Sequence, residues 1–188
     1  MVSLNGTTVH EQKGTDFVSF AKSAYKKFDI DYSKFFKMDN LSKLAFLAAD
    51  LLLKDDNIKE KQNIALVFSN RAASLDTDRR HQESISKNDS YFPSPAVFVY
   101  TLPNICMGEI SIKHKLHSEN AFFIFEKFNA QYLHTYTESL ILEKKAEKVL
   151  CGWTELDGEK YKAFLYVVGK SGIFTHSTHQ ITRLYQNK

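Results

Sequence analysis

The chain has 188 residues, enough for one domain with a sizeable apolar core. Hydrophobic residues make up 43% and charged residues 25%, with only seven Gly and three Pro, which argues against a disordered or loop-dominated chain. The formal net charge of +3 is spread over interleaved acids and bases, as in Lys54-Asp55-Asp56 and Glu143-Lys144-Lys145, and offers no basic patch for nucleic acid.

Residues 2–9 are read as a first strand, interrupted by Asn5-Gly6. Residues 15–27 suit a short helix with Phe17, Phe20, Ala21 and Ala24 on one side. Asp39 to Lys54 predicts a stronger helix: Asp39 or Asn40 caps the free amides of the first turn, and Leu41, Leu44, Ala45, Ala48, Leu51 and Leu52 follow helical spacing. Asn63 to Phe68 runs without polar relief, as a strand covered on both faces does. Ser69 to Ser94 is polar and rich in turn formers, and is expected as a connecting loop with helical turns around Asp76 to Ile85. Pro93 to Ile112 predicts a helix starting near Ser94-Pro95, with a kink or boundary at Pro103 because proline lacks the amide the helix needs.

Ala121 to Phe125 is a second apolar strand, and Lys127 to Lys145 a following helix. On that helix Phe128, Tyr132, Leu133, Tyr136 and Leu140 fall on one arc, and Lys127, Gln131, His134 and Glu138 on the opposite one. Val149 to Leu156 is a third strand; Asp157-Gly158 then predicts a hairpin to Tyr161–Val168, with positive φ at both turn positions. Residues 170–188 are polar and expected as a tail or surface segment. The order of elements predicts a single α/β domain over 1–188, its sheet mostly parallel with one antiparallel edge.

Cys106 and Cys151 both sit in apolar stretches, without disulfide framework or zinc spacing, as in a reducing compartment. Met1 to Gly14 shows no signal-peptide pattern, and the apolar stretch Leu44–Leu53 is too short to cross a membrane. The expectation is a cytoplasmic protein without a membrane span. His114 and His117 flank Lys115 in an expected loop, and His176 and His179 lie in the polar C-terminal segment; both pairs read as solvated, so no metal site is expected. No phosphate loop, Ser-His-Asp set or paired-carboxylate motif stands out, so no cofactor is expected.

Four segments in order resemble the β-ketoacyl-[acyl-carrier-protein] synthase family over roughly residues 35–156. They are Lys37-Met38-Asp39 with its Leu/Ala-rich helix; Val67-Phe68-Ser69-Asn70 with Ser74-Leu75-Asp76-Thr77-Asp78; Ser94-Pro95 through Thr101-Leu102-Pro103-Asn104 to Gly108, Ile110, Ser111 and Ile112; and Lys148-Val149-Leu150 with Gly152 and Glu155. The resemblance implies a thiolase-like half-fold: a mixed five-stranded sheet, helices on both faces, and an antiparallel last strand. It also implies a nucleophilic Cys just after the third strand, where a helix N-terminus stabilises the thiolate. The matching junction here is Phe125-Glu126-Lys127-Phe128, with Lys127 at the nucleophile's position give or take one residue, and no Cys occurs from Met107 to Leu150. A nucleophilic Lys127 would need a depressed pKa, whereas a neighbouring carboxylate, Glu126, favours the charged amine. The mechanism's two histidines belong to a synthase's other half, and the seven histidines here offer no substitute set.

The resemblance therefore implies a non-catalytic partner, similar to the chain-length factors that pair with active synthases in fatty-acid, polyketide or aryl-polyene-type synthesis. Ala121, Phe122, Phe123, Ile124 and Phe125 are the expected dimer edge strand, because the third strand closes one side of this sheet and carries no Lys or Pro to protect it. The partner is a second copy or a full-length ketosynthase, with acyl carrier protein as a further one. A competing expectation is a monomer whose edge is covered by residues 170–188. The alternative function is an enzyme acting on acyl-ACP or acyl-CoA with a relocated active site.

Overall fold

In the computed structural model, which describes residues 1–54, 63–86 and 93–186, Asn5 and Gly6 take φ values of 51° and 81°. Two successive positive φ angles reverse the chain tightly, so β1 (Val2–Leu4) and β2 (Thr7–His10) pair antiparallel with each other. The expected first strand is thus a separate hairpin. Among the described residues the main sheet has four strands rather than five.

Helix α1 (Phe17–Lys27) starts at Asp16, whose carboxylate accepts the Ser19 amide at 2.9 Å. It buries the expected Phe17, Phe20, Ala21 and Ala24. A 3-10 turn (Ser33–Lys37) leads to α2 (Asn40–Leu53). Asp39 caps α2 through the Ser42 amide, and its other oxygen accepts the Thr77 hydroxyl at 2.8 Å. One buried side chain thereby starts a helix and ties it to the next.

Strand β3 (Ile64–Asn70) is buried at every position. The loop expected after it is tightly held: Asn70 accepts the Ala73 amide and donates to its carbonyl, each at 2.9 Å, and Glu155 accepts the Arg71 amide at 2.7 Å. A full helix, α3 (Leu75–Ile85), follows instead of isolated turns. Thr77 is its only buried residue, so it has no apolar stripe to be read from sequence. Residues 87–92 of the expected loop lie outside the described residues. The helix expected over Pro93–Ile112 is two helices, α4 (Pro95–Val99) and α5 (Ile105–His114), with Pro103 at the boundary. α5 ends because Lys115 turns left-handed, at φ 54°.

Strand β4 (Asn120–Ile124) runs parallel to β3, with Phe122 opposite Phe68. Helix α6 (Ala130–Leu142) begins three residues later than expected, because Asn129 accepts the Tyr132 amide at 3.0 Å and caps it there. Strand β5 (Lys148–Asp157) pairs parallel to β3 on its other side and antiparallel to β6 (Lys160–Val168). The hairpin is as expected, but its two-residue turn is Gly158-Glu159, with positive φ (59°) at Gly158. That matches a turn type needing glycine first rather than positive φ at both positions. The C-terminal segment also departs from expectation: it folds into α7 (Thr178–Gln186), which buries Ile181.

The strand order is β4-β3-β5-β6. Ile64, Leu66, Phe68, Leu150 and Leu156 face one core with α1, α2 and α5; Ala65, Val67, Val149, Cys151 and Val168 face a second with Leu133 and Leu140 of α6. Phe35, Phe46 and Phe68 are wholly buried in the first core, each contributing about 1.5–3 kcal/mol by leaving water. The sheet is mixed, its last strand is antiparallel and helices cover both faces, as the sequence reading expected.

Candidate functional site

The chain leaves β4 at Ile124 and enters α6 at Ala130, so residues 125–129 form the junction between them. Lys127 lies in the bend ahead of α6 and is exposed. It is not on the polar arc of the helix, as the sequence reading had it, because the cap at Asn129 starts the helix beyond it. Phe128 turns inward. Its ring stacks on Tyr185 of α7 at 4.0 Å and meets Trp153 and Phe164 edge-on at 6.1 and 5.7 Å. The junction is thus filled by aromatic packing on one side and an exposed ammonium on the other.

The cysteines are elsewhere. Cys106 is buried in the first turn of α5, and Cys151 is buried mid-strand in β5 with its thiol 3.2 Å from the Tyr166 hydroxyl. Burial pushes the Cys151 thiol up to about 12 and Cys106 higher still. Burial at both positions disfavours the thiolate that acyl capture requires.

The expected edge strand occupies Asn120–Ile124, one residue earlier than Ala121–Phe125. Phe125 follows it, its amide donating to the Asn70 carbonyl at 2.9 Å. β3 takes one side of β4; among the described residues no strand pairs with the other. Ile124 is 50% exposed. Beside it Phe123, Phe125, Tyr132 and Tyr136 form an aromatic shelf, with Phe123 against Tyr132 at 4.8 Å and Phe125 against Tyr132 at 5.1 Å. Tyr185 packs on Phe164 of β6, at the opposite side of the sheet.

A similar fold recurs in parts of solved structures. The ishigamide ketosynthase/chain length factor superposes with a TM-score of 0.59 at 22% identity, covering 65% of this chain and 36% of that one. The ketosynthase ApeO in complex with its chain length factor ApeC from Xenorhabdus doucetiae gives 0.51 at 17% identity, covering 68% and 50%. AntDE:AntF, a type II PKS acyl-carrier protein in complex with its ketosynthase bound to the hexaketide, gives 0.53 at 17%, covering 77% and 47%. The chain carries a thiolase-like, ketosynthase-half fold. It spans between 36% and 50% of the length of these proteins. No family model and no curated protein sequence matches it. Among the described residues no helix is long and apolar enough to cross a membrane.

The histidines are not the solvated pairs the sequence suggested. His114 is in the last turn of α5, its Nε2 3.1 Å from Asp50, whose side chain is wholly buried, while His117 lies beyond the helix and is exposed. His176 separates from His179: it is half-buried against α6, with Nδ1 2.6 Å from Glu138. His134, Glu138 and His176 come together, each offering a ligand atom within 4.8 Å of the others. The four-residue step from His134 to Glu138 was legible as one helix face; the return of His176 across it was not.

Proposed function

We propose that this chain is a non-catalytic ketosynthase-like subunit that assembles through the open side of β4. Its partner is a second copy or a full-length ketosynthase, in fatty-acid, polyketide or aryl-polyene-type synthesis. The observation that carries the reading is the β4–α6 junction. The ketosynthase resemblance implies a thiol there, at a helix N-terminus that favours the thiolate. Glu126, Lys127 and Phe128 supply none, and Phe128 fills the space with Trp153, Phe164 and Tyr185. The edge supports the assembly half of the reading, since an apolar strand without gatekeeping Lys or Pro is one that natural proteins pair or cover.

Four measurements test it. Incubation with acyl-CoA and acyl carrier protein thioesters should leave the intact mass unchanged, and Lys127→Cys should not yield condensation product, because the two histidines that the family's condensation needs belong to a synthase's other half. An acyl adduct on the chain refutes the non-catalytic reading. Affinity purification from the native extract should return a ketosynthase in stoichiometric amount, or light scattering should give a homodimer. A monomer that binds no ketosynthase refutes the assembly reading.

A further inference from the structure

An α-helix repeats every 3.6 residues, so His134 and Glu138 of α6 project from one face, a turn apart. Past Val168 the chain returns over this face and sets His176 on it, two residues ahead of α7. The rings of His134 and His176 stand 4.6 Å apart, tilted by 39°. His176 Nδ1 lies 2.6 Å from Glu138 Oε1, and its Nε2 lies 3.5 Å from the hydroxyl of Thr137, which is itself wholly buried. The His176 side chain is 15% exposed and that of Glu138 39%, so the cluster is part-sheltered yet open to solvent on one side. A simple hydrogen bond accounts for His176 and Glu138. It does not account for the second imidazole drawn up beside them.

We propose that His134, Glu138 and His176 bind one Zn²⁺ ion. Two imidazoles and a carboxylate are the donor set zinc takes when three protein ligands leave a fourth position for water. His176 is arranged as a ligand usually is: Nδ1 faces the carboxylate and the cluster, while Nε2 is left to donate to Thr137, which fixes the ring's orientation. All three donor atoms already lie within 4.8 Å of one another, so small side-chain shifts, with the 2.6 Å His176–Glu138 contact opening, bring them to a common ion about 2 Å from each. The ion clamps the segment between β6 and α7 onto α6. This inference stands apart from the ketosynthase-partner reading, since it draws on neither β4 nor Lys127.

The test uses the whole chain without a histidine tag, freed of metal by chelator and titrated with zinc sulfate against a chromophoric competitor. One equivalent is expected to bind. His134→Ala, Glu138→Gln and His176→Ala should each weaken binding by at least about tenfold, the lower end of what losing even an outer-sphere partner costs. His117→Ala and His179→Ala, both exposed positions, should leave it unchanged. Circular dichroism checks that each variant folds. Imidazole-nitrogen NMR of the unmutated chain gives a reading that needs no variant: the first equivalent should shift His134 and His176 and leave His10 and His81 in place. Binding below one equivalent, affinity unchanged in the three ligand variants, or first-equivalent shifts at other histidines would overturn the proposal.

Discussion

The ring of Tyr185 lies on the ring of Phe128, centroids 4.0 Å apart and planes within 21°. One comes from α7 and the other from the bend before α6, so this stack fastens the last helix to the junction. Lys162 adds its ammonium over the Tyr185 ring at 3.6 Å. Tyr185→Ala removes a stacked pair worth about 0.5–1.5 kcal/mol beyond its buried area. Amide exchange across Thr178–Gln186 should speed up while β3 stays protected. Unaltered exchange in α7 would show that the stack does not hold it.

Ile124→Lys puts a charge on β4, at a residue that is half exposed. Thermal unfolding should move little. Light scattering should shift from dimer toward monomer, as it does when a gatekeeping charge enters a pairing edge. A dimer of undiminished affinity would place the interface elsewhere.

Two glycines in the segments that resemble ketosynthases should respond oppositely to a methyl group. A Cβ at Gly152 would run into the Phe164 carbonyl and stand 3.0 Å from Leu165 Cα, backbone that the β5–β6 pairing holds in place. Gly152→Ala is expected to cost about 3 kcal/mol and to lower Tm by roughly 6–12 °C. Gly108, inside α5, has open space around it. Gly108→Ala should gain about 0.5–1 kcal/mol through helix propensity. Calorimetry of the two variants checks both signs.

The buried thiols predict both reactivity and an alkaline limit. A water-soluble disulfide reagent should label neither Cys106 nor Cys151 in the folded chain near neutral pH, and both in denaturant. Burial raises the Cys151 thiol from the ordinary 9.0 to about 12. A raised folded pKa contributes stability that is whole below the unfolded value and fades as pH climbs to the folded one. Burial of Tyr166, Tyr100 and Cys106 acts in the same direction. Urea midpoints should therefore fall above about pH 9, and a flat profile to higher pH would contradict it.

The elements legible in sequence were those whose cause is local. The apolar run Ile64–Phe68, the Asp39 cap, the break at Pro103 and the glycine turn before β6 each act within a few residues. Asn5-Gly6 carried the same kind of turn signal, but its flanking strands are so short that it read as an interruption. α3 was hidden because its support comes from polar ties, Asn70 to Ala73 and Thr77 to Asp39, and not from an apolar stripe. Where α6 starts depends on one asparagine cap, which moved Lys127 off the helix. The union of His176 with His134 and Glu138 depends on the chain's return past Val168, which no local pattern encodes. The absence of a thiol from the β4–α6 junction needed only the sequence; the aromatic packing that takes its place needed the fold.

The strand pairing also imposes an order in time. β5 and β6 meet across a two-residue turn, whereas Phe68 of β3 meets Phe122 of β4 and Gly152 of β5 from more than fifty and more than eighty residues away. A hairpin closes in about 1–10 μs, while distant parallel pairs wait on loop closure. On the ribosome, at about 5–20 residues per second, β3 emerges roughly 4–17 s ahead of the β5 residues it pairs with. During those seconds Ile64-Ala65-Leu66-Val67-Phe68, buried at every position in the folded chain, has yet to meet its β5 partners.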